Sequence, residues 1–278
     1  MLRPPSERTV CCFDCEWVPD APTGRRVYDL RPDLPDADVL GVMWAEGGAT
    51  ADDPRPYLKT TLCRVVSLAA VIRESDGRDV KLRLFALPDK PEAMDEAQLL
   101  SRFLGYLTDK HPQLVGFNSK DADLPILVQR AMVHGLSIPG LGRPGDHVKP
   151  WEAGPDYFNR FGNQHVDLRE ILTGFGKTSA RLHDLATACG IPGKLGTDGA
   201  SVVDLWVNGD MAGIVRYNLF DACTTYLLWL RAMSLAGFLS PEARKKEENV
   251  FRGVLEAKAV ADPPFGVFIE AWERLGRG

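Results

Sequence analysis

The chain has 278 residues, with 33 Lys and Arg against 38 Asp and Glu, so its formal net charge is −5; apolar residues make up 45% and charged residues 26%. That length suits one large domain or two small ones with a sizeable core, and the acidic balance argues against a general polyanion binder. No apolar run approaches the roughly 20 residues that span a bilayer, the start Met1-Leu2-Arg3-Pro4-Pro5 lacks the apolar stretch of a signal peptide, and six cysteines make no disulfide framework. The expectation is a reduced, cytoplasmic protein without membrane contact.

Residues 9–13, Thr-Val-Cys-Cys-Phe, predict a short buried strand ending at Asp14-Cys15-Glu16. Residues 19–62 carry Pro19, Pro22, Pro32, Pro35, Pro54 and Pro56, and predict a long irregular connection. Residues 64–72 and 80–85 predict two strands of an antiparallel hairpin, with Asp76-Gly77 in the turn. Leu99, Leu100, Phe103, Leu104 and Leu107 make an apolar stripe at helical spacing over 95–109. A strand at 113–117 and a helix at about 123–134 follow. Residues 135–163 are loop-rich. Helices are then predicted at about 167–173, 181–189, 201–207 and 211–236. Ser240-Pro241-Glu242 opens another helix, to about Lys258, with a cap hydroxyl, an early proline and an early acid. A short tail should follow Pro263-Pro264. Strands early and helices late predict a single mixed α/β domain.

Three acidic settings stand out. Asp14 and Glu16 lie two apart after a buried strand, which puts both carboxylates on one face. Asp123 opens a helix after the turn Gly116-Phe117-Asn118-Ser119. Tyr217 and Asp221 lie four apart on an otherwise apolar helix, hence on one face. Taken singly, each has an ordinary reading as surface charge, helix cap or solvated stripe. An aspartate amid Ile214, Val215, Leu219 and Phe220 is costly to bury unpaired, which favours a shared cation.

Together these motifs resemble the 3′–5′ exonucleases of the ribonuclease H-like superfamily, in their tyrosine (DEDDy) class. The sequence is most similar to the predicted 3′–5′ exonuclease family related to the proofreading domain of family-B DNA polymerases. Further stretches carry the likeness: Pro56-Tyr57-Leu58-Lys59, His165-Val166-Asp167-Leu168, Gly190-Ile191-Pro192-Gly193-Lys194 and Tyr226-Leu227-Leu228-Trp229-Leu230-Arg231. It runs from about residue 10 to residue 235. The resemblance implies an α/β, ribonuclease H-like fold with a mixed central sheet flanked by helices. It implies an exonuclease domain over 1–239 and a C-terminal helical extension, 240–278, packed on the same domain. Asp14, Glu16, Asp123 and Asp221 match the family's metal-binding carboxylates. Tyr217 matches the tyrosine that orients the attacking water. The sister class has a histidine where this chain has Arg216. The residue before the middle aspartate, usually aromatic, is Ala122, and Asp121 adds a second carboxylate nearby.

The chemistry implied is phosphodiester hydrolysis by two divalent ions, Mg²⁺ or Mn²⁺, which hold the attacking and leaving oxygens. Carboxylate oxygens suit such hard cations. A tyrosine of ordinary pKa, about 10, is a poor base, so Tyr217 is assigned to orienting the nucleophile. The expected substrates are nucleic-acid 3′ ends, single-stranded DNA ahead of RNA, and the expected products are nucleoside 5′-monophosphates. Rival readings are a 3′–5′ exoribonuclease and a non-catalytic nucleic-acid-binding or polymerase-accessory module; a polymerase or repair partner would act in trans. Candidate substrate contacts are Trp17, by stacking on the terminal base, and Asn118, Lys120 and Lys194, by phosphate contact. Each has a structural alternative: Trp17 covered by the 19–62 segment, Lys194 in a helix-terminating loop. Asp167 reads as a helix cap rather than an outer-shell group, His165 as a structural hydrogen-bond partner, the cysteines as buried strand residues and Arg244-Lys245-Lys246 as a solvated basic run, with guidance of nucleic acid as its alternative.

Overall fold

A computed structural model describes residues 2–5, 8–89, 94–142, 155–173, 180–193, 195 and 201–276, and the following account concerns those residues. Five strands form one mixed sheet: β1 (Thr9–Pro19), β2 (Cys63–Ser75), β3 (Val80–Leu87), β4 (Gln113–Gly116) and β5 (His165–Asp167), in the order β3-β2-β1-β4-β5. The β1–β2 and β2–β3 pairs are antiparallel, and the β1–β4 and β4–β5 pairs parallel. This is the expected ribonuclease H-like architecture, a mixed sheet with helices on its faces. The hairpin of β2 and β3 is as the sequence predicts. β1 is longer than predicted: it continues through Asp14 and Glu16, so the acids sit within the central strand.

Alternation along β1 divides the core. Cys11, Phe13 and Cys15 face one layer, built on α1 (Ala21–Val27), α2 (Asp36–Glu46), α3 (Glu96–Lys110) and α4 (Asp123–Val133). Val10 and Cys12 face the other, built on α6 (Leu182–Ala188), α8 (Met211–Leu235), α9 (Pro241–Ala261) and α10 (Pro264–Leu275). The short helices α5 (Leu168–Thr173) and α7 (Ser201–Val207) complete the described elements. Cys12 and Cys15 therefore face opposite layers and share no ligand position.

Two regions differ from the sequence reading. The 19–62 segment holds α1 and α2, because two of its prolines, Pro22 and Pro35, start helices rather than break them. Pro22 lies in the first turn of α1, where Asp20 accepts the Thr23 N–H at 3.3 Å, and Pro35 precedes α2. The expected tail after Pro263 is α10, which buries Phe265, Phe268 and Trp272 in the same core as Phe251 and Leu255 of α9. Ser240 caps α9 as predicted, accepting from Ala243 N at 3.2 Å. The helices from residue 240 onward share the core of the sheet.

A buried polar network fastens α4 to the sheet. Arg130 of α4 donates to Glu96 at 2.6 and 2.8 Å and to Asp20 at 3.1 Å. Glu96 also accepts the backbone N–H of Val65 in β2 at 2.7 Å. α3, α4, the cap of α1 and the central sheet thus meet at one arginine in the last turn of α4.

Candidate active site

Asp14 and Glu16 project from the same face of β1 toward α8. Asp14 Oδ2 accepts from Asn218 Nδ2 at 2.7 Å, and Asn218 Oδ1 accepts from Ser67 Oγ in β2 at 3.0 Å. Ser67 and Asn218 are fully buried, so the amide is held in one orientation. Asp221 lies on the same helix, and Tyr217 lies one turn before it on the same face. Carboxylate oxygens of Asp14, Glu16 and Asp221 lie within 4.8 Å of one another.

Asp123 arrives from the other side of the strand. The β1–β4 ladder runs only from Val10 to Cys12, which leaves the next part of that edge of β1 without a strand partner. There Cys15 N donates to Asp123 Oδ1 at 3.1 Å. Cys15 lies between Asp14 and Glu16, so this bond pins the first residue of α4 to the acid pair. The turn before α4 is built for this. Gly116 lets Ser119 fold back against it; a Cβ there would stand 2.3 Å from Ser119 Oγ. Asn118 adopts φ 67°, a left-handed conformation that asparagine tolerates. Asp167, at the end of β5, accepts the N–H groups of Asn118 and Lys120 at 3.0 Å each and that of Glu170 at 3.2 Å. It caps α5 as predicted and holds the turn as well. Ser119 Oγ meets His165 Nε2 at 2.8 Å.

Burial pushes the Asp14 pKa well above the ordinary carboxylate range. Repulsion from Asp123, Glu16 and Asp221 adds to it, and the Asn218 hydrogen bond opposes it. Asp123 is raised to about 7, mainly by burial, against hydrogen bonds from Cys15. Negative charge is therefore concentrated here at a cost that a cation would relieve. The donor set is oxygen alone, which suits Mg²⁺, Mn²⁺ or Ca²⁺ rather than a soft metal. The Tyr217 hydroxyl is raised far above the ordinary tyrosine range by burial, then by Asp221, Glu16 and Asp14. It stays protonated and can donate.

The other sequence candidates fall as follows. Asp121 is exposed and lies 3.7 Å from Arg160, so the buried acid of that turn is Asp123. Arg216 turns away to Asp262 at 2.9 Å. Trp17 is half-buried and packs edge-on against Tyr57, ring centroids 6.1 Å apart. Asn118 Oδ1 accepts from Arg169. Lys120 Nζ donates to the Arg160 carbonyl at 2.7 Å and to Glu170 at 3.1 Å, so a phosphate would compete with both. Lys194 lies outside the described residues. Two further residues were given no role from sequence, although Tyr57 lies in one of the stretches that carry the resemblance. Asn218 had one visible signal, an amide beside Tyr217 in an apolar helix. Tyr57 is 75% exposed and packs against Trp17, directly after Glu16, so it borders the acidic centre.

A mixed sheet whose central strand gathers carboxylates from α4 and α8 defines a ribonuclease H-like protein with an acidic centre of the nuclease kind. Residues 55–272 match the family described as a predicted 3′–5′ exonuclease related to the exonuclease domain of PolB, and the chain belongs to that family. The match takes in Asp123, Tyr217 and Asp221, while Asp14 and Glu16 precede it. No curated protein matches the chain. Among the described residues, no helix is long and apolar enough to cross a membrane.

Proposed function

We propose that the protein is a divalent-metal-dependent 3′–5′ exonuclease of the tyrosine (DEDDy) class. It removes nucleotides from single-stranded 3′ ends and releases nucleoside 5′-monophosphates. The observation that carries this reading is the meeting of Asp14, Glu16 and Asp221 oxygens within 4.8 Å, with Asp123 fastened to the N–H between the first two. The relation of the family to the PolB exonuclease domain favours DNA over RNA.

Asp14, Glu16, Asp123 and Asp221 would hold two ions, Mg²⁺ or Mn²⁺. When bound, such ions neutralise phosphate charge and acidify a water at neutral pH. The remaining work falls to the chain. Asn218 holds Asp14 by hydrogen bond, so one ligand oxygen is preset. Tyr217 keeps its proton and orients the attacking water as a hydrogen-bond donor, because its neighbours are anions and its hydroxyl is buried. Trp17, directly after Glu16, supplies an apolar face for the terminal base, and base–aromatic stacking is worth about 1–3 kcal/mol.

The test is release of mononucleotides from matched single-stranded DNA and RNA, end-labelled at 5′, with Mg²⁺ or Mn²⁺. A 3′-to-5′ ladder that EDTA and Asp14→Ala abolish is expected, faster on DNA. Faster RNA digestion would convert the reading to an exoribonuclease. Pure, folded protein no more active than Asp14→Ala would overturn it and favour the non-catalytic binding module.

A further inference from the structure

A second concentration of charge lies away from the acidic centre. The C-terminal part of α8, the first half of α9 and the end of α10 enclose a cavity of about 370 Å³. Arg231, Arg244, Lys245 and Arg252 line it, with Glu248 and Glu273. Four cations face two carboxylates, in a chain of net charge −5. The carboxylates are already engaged: Glu248 by Arg244 and by Lys245 at 3.9 Å, Glu273 by Arg252. Arg231 has no such partner among the described residues. Its Nε is shielded from solvent and makes no hydrogen bond. Arg231 as a whole is half-buried, and the surplus of cations over carboxylates along this cavity leaves it open to an acceptor from outside the chain.

Three separate sequence features meet here. Arg231 closes the run from Tyr226, Arg244-Lys245 is the basic run of α9, and Gly190 belongs to the loop after α6. The turn between α8 and α9 brings the first two together. Ten residues of α8 separate Asp221 from Arg231, about 15 Å along a helix, so this cavity is distinct from the carboxylate centre.

We propose that the cavity is a phosphate-binding site, in which Arg231 with Arg244, Lys245 and Arg252 takes a phosphate group of a nucleic-acid strand or of free phosphate. Planar guanidinium groups offer paired donors that match phosphate oxygens. Two uncompensated positive charges match a dianion or two adjacent diester groups. The volume lies in the range of ligand sites and exceeds what one phosphate fills.

The experiment uses the whole chain in EDTA at low ionic strength, titrated calorimetrically with inorganic phosphate and with a single-stranded oligonucleotide. Saturable binding of at least one probe is expected, weakened about tenfold or more in Arg231→Gln and Arg244→Gln. Phosphate binding should be unchanged in Asp221→Asn. Saturation by phosphate without oligonucleotide competition assigns the free anion. Tighter oligonucleotide binding with the same Arg231 dependence assigns the strand. Lys245→Gln alters a side chain that is 68% exposed and gives a variant safe for folding. No saturable binding of either probe, or equal binding in the wild type and all three folded variants, would overturn the site. Metal is absent throughout, so that result leaves the exonuclease reading untouched.

Discussion

Asn218 donates its side-chain amide to Asp14 Oδ2 at 2.7 Å, while its amide oxygen is held by Ser67 at 3.0 Å. One carboxylate of the acidic centre is thus oriented from inside the protein, by a residue that is itself fully buried. Outer partners of this kind typically contribute 10–100-fold to metal affinity. Asn218→Leu should weaken Mn²⁺ binding by about that factor, read by calorimetry or by the Mn²⁺ resonance signal. Unchanged affinity would show that Asn218 serves packing alone.

The same carboxylates repel one another when no cation is bound. Asp14→Asn removes a half-buried carboxyl whose ionisation is opposed by Asp123, Glu16 and Asp221. The metal-free variant should be more stable than the wild type by at least about 1 kcal/mol at neutral pH. Added Mn²⁺ should raise the melting temperature of the wild type and have much less effect on the variant. Thermal melts with EDTA and with Mn²⁺ measure both.

In the proposed mechanism Tyr217 donates where a base would accept. Tyr217→Phe should lower kcat by about 10²-fold and leave Mn²⁺ affinity nearly unchanged. The limbs of the wild-type pH–rate profile should not move in the variant. A shift of the alkaline limb would instead show that the tyrosine ionises during turnover.

His165 is buried and held neutral; burial, then the nearby Lys120 charge, lowers its pKa from 6.5 to about 3. Between these values the unfolded chain binds a proton that the native chain does not. Stability contributed by this site is therefore complete above pH 6.5 and falls as pH drops toward 3. The raised acids Asp14 and Asp123 act in the opposite direction, so the comparison is with His165→Gln. Relative to that variant, the wild type should lose up to about 1.4 kcal/mol per pH unit across this window. Denaturant unfolding from pH 7 to pH 4 checks the slope.

Arg130 is 3% exposed and bonds Glu96 and Asp20. Arg130→Met leaves two carboxylates buried without their cation, which should cost about 3–5 kcal/mol. α4 carries Asp123, so Mn²⁺ affinity should fall in parallel. Denaturant unfolding and metal titration of the folded fraction give the two readouts.

The local pattern of the chain determined a good deal. Leucine spacing placed α3, Ser240 and Pro241 placed the start of α9, and Asp76-Gly77 placed the hairpin turn. Asp14 with Glu16, and Tyr217 with Asp221, were legible as same-face pairs because residue spacing alone sets which side chains share a face. Asp123 was legible as an acid that opens a helix after a turn, and the family resemblance selected it. Spacing says nothing about which faces meet. Asp14 and Asn218 are 204 positions apart, and Cys15 and Asp123 are 108 apart. Only the sheet order β3-β2-β1-β4-β5, with β4 ending short, leaves an edge of β1 for Asp123 and a face for α8. The helices α1 and α2 were hidden by prolines that read as breakers, and α10 by the Pro263-Pro264 pair at its start. The arginine cavity was hidden for the same reason as Asn218. Its residues come from α8, α9 and α10, and their surplus charge exists only after packing has paired the other arginines and left Arg231 without a carboxylate among the described residues.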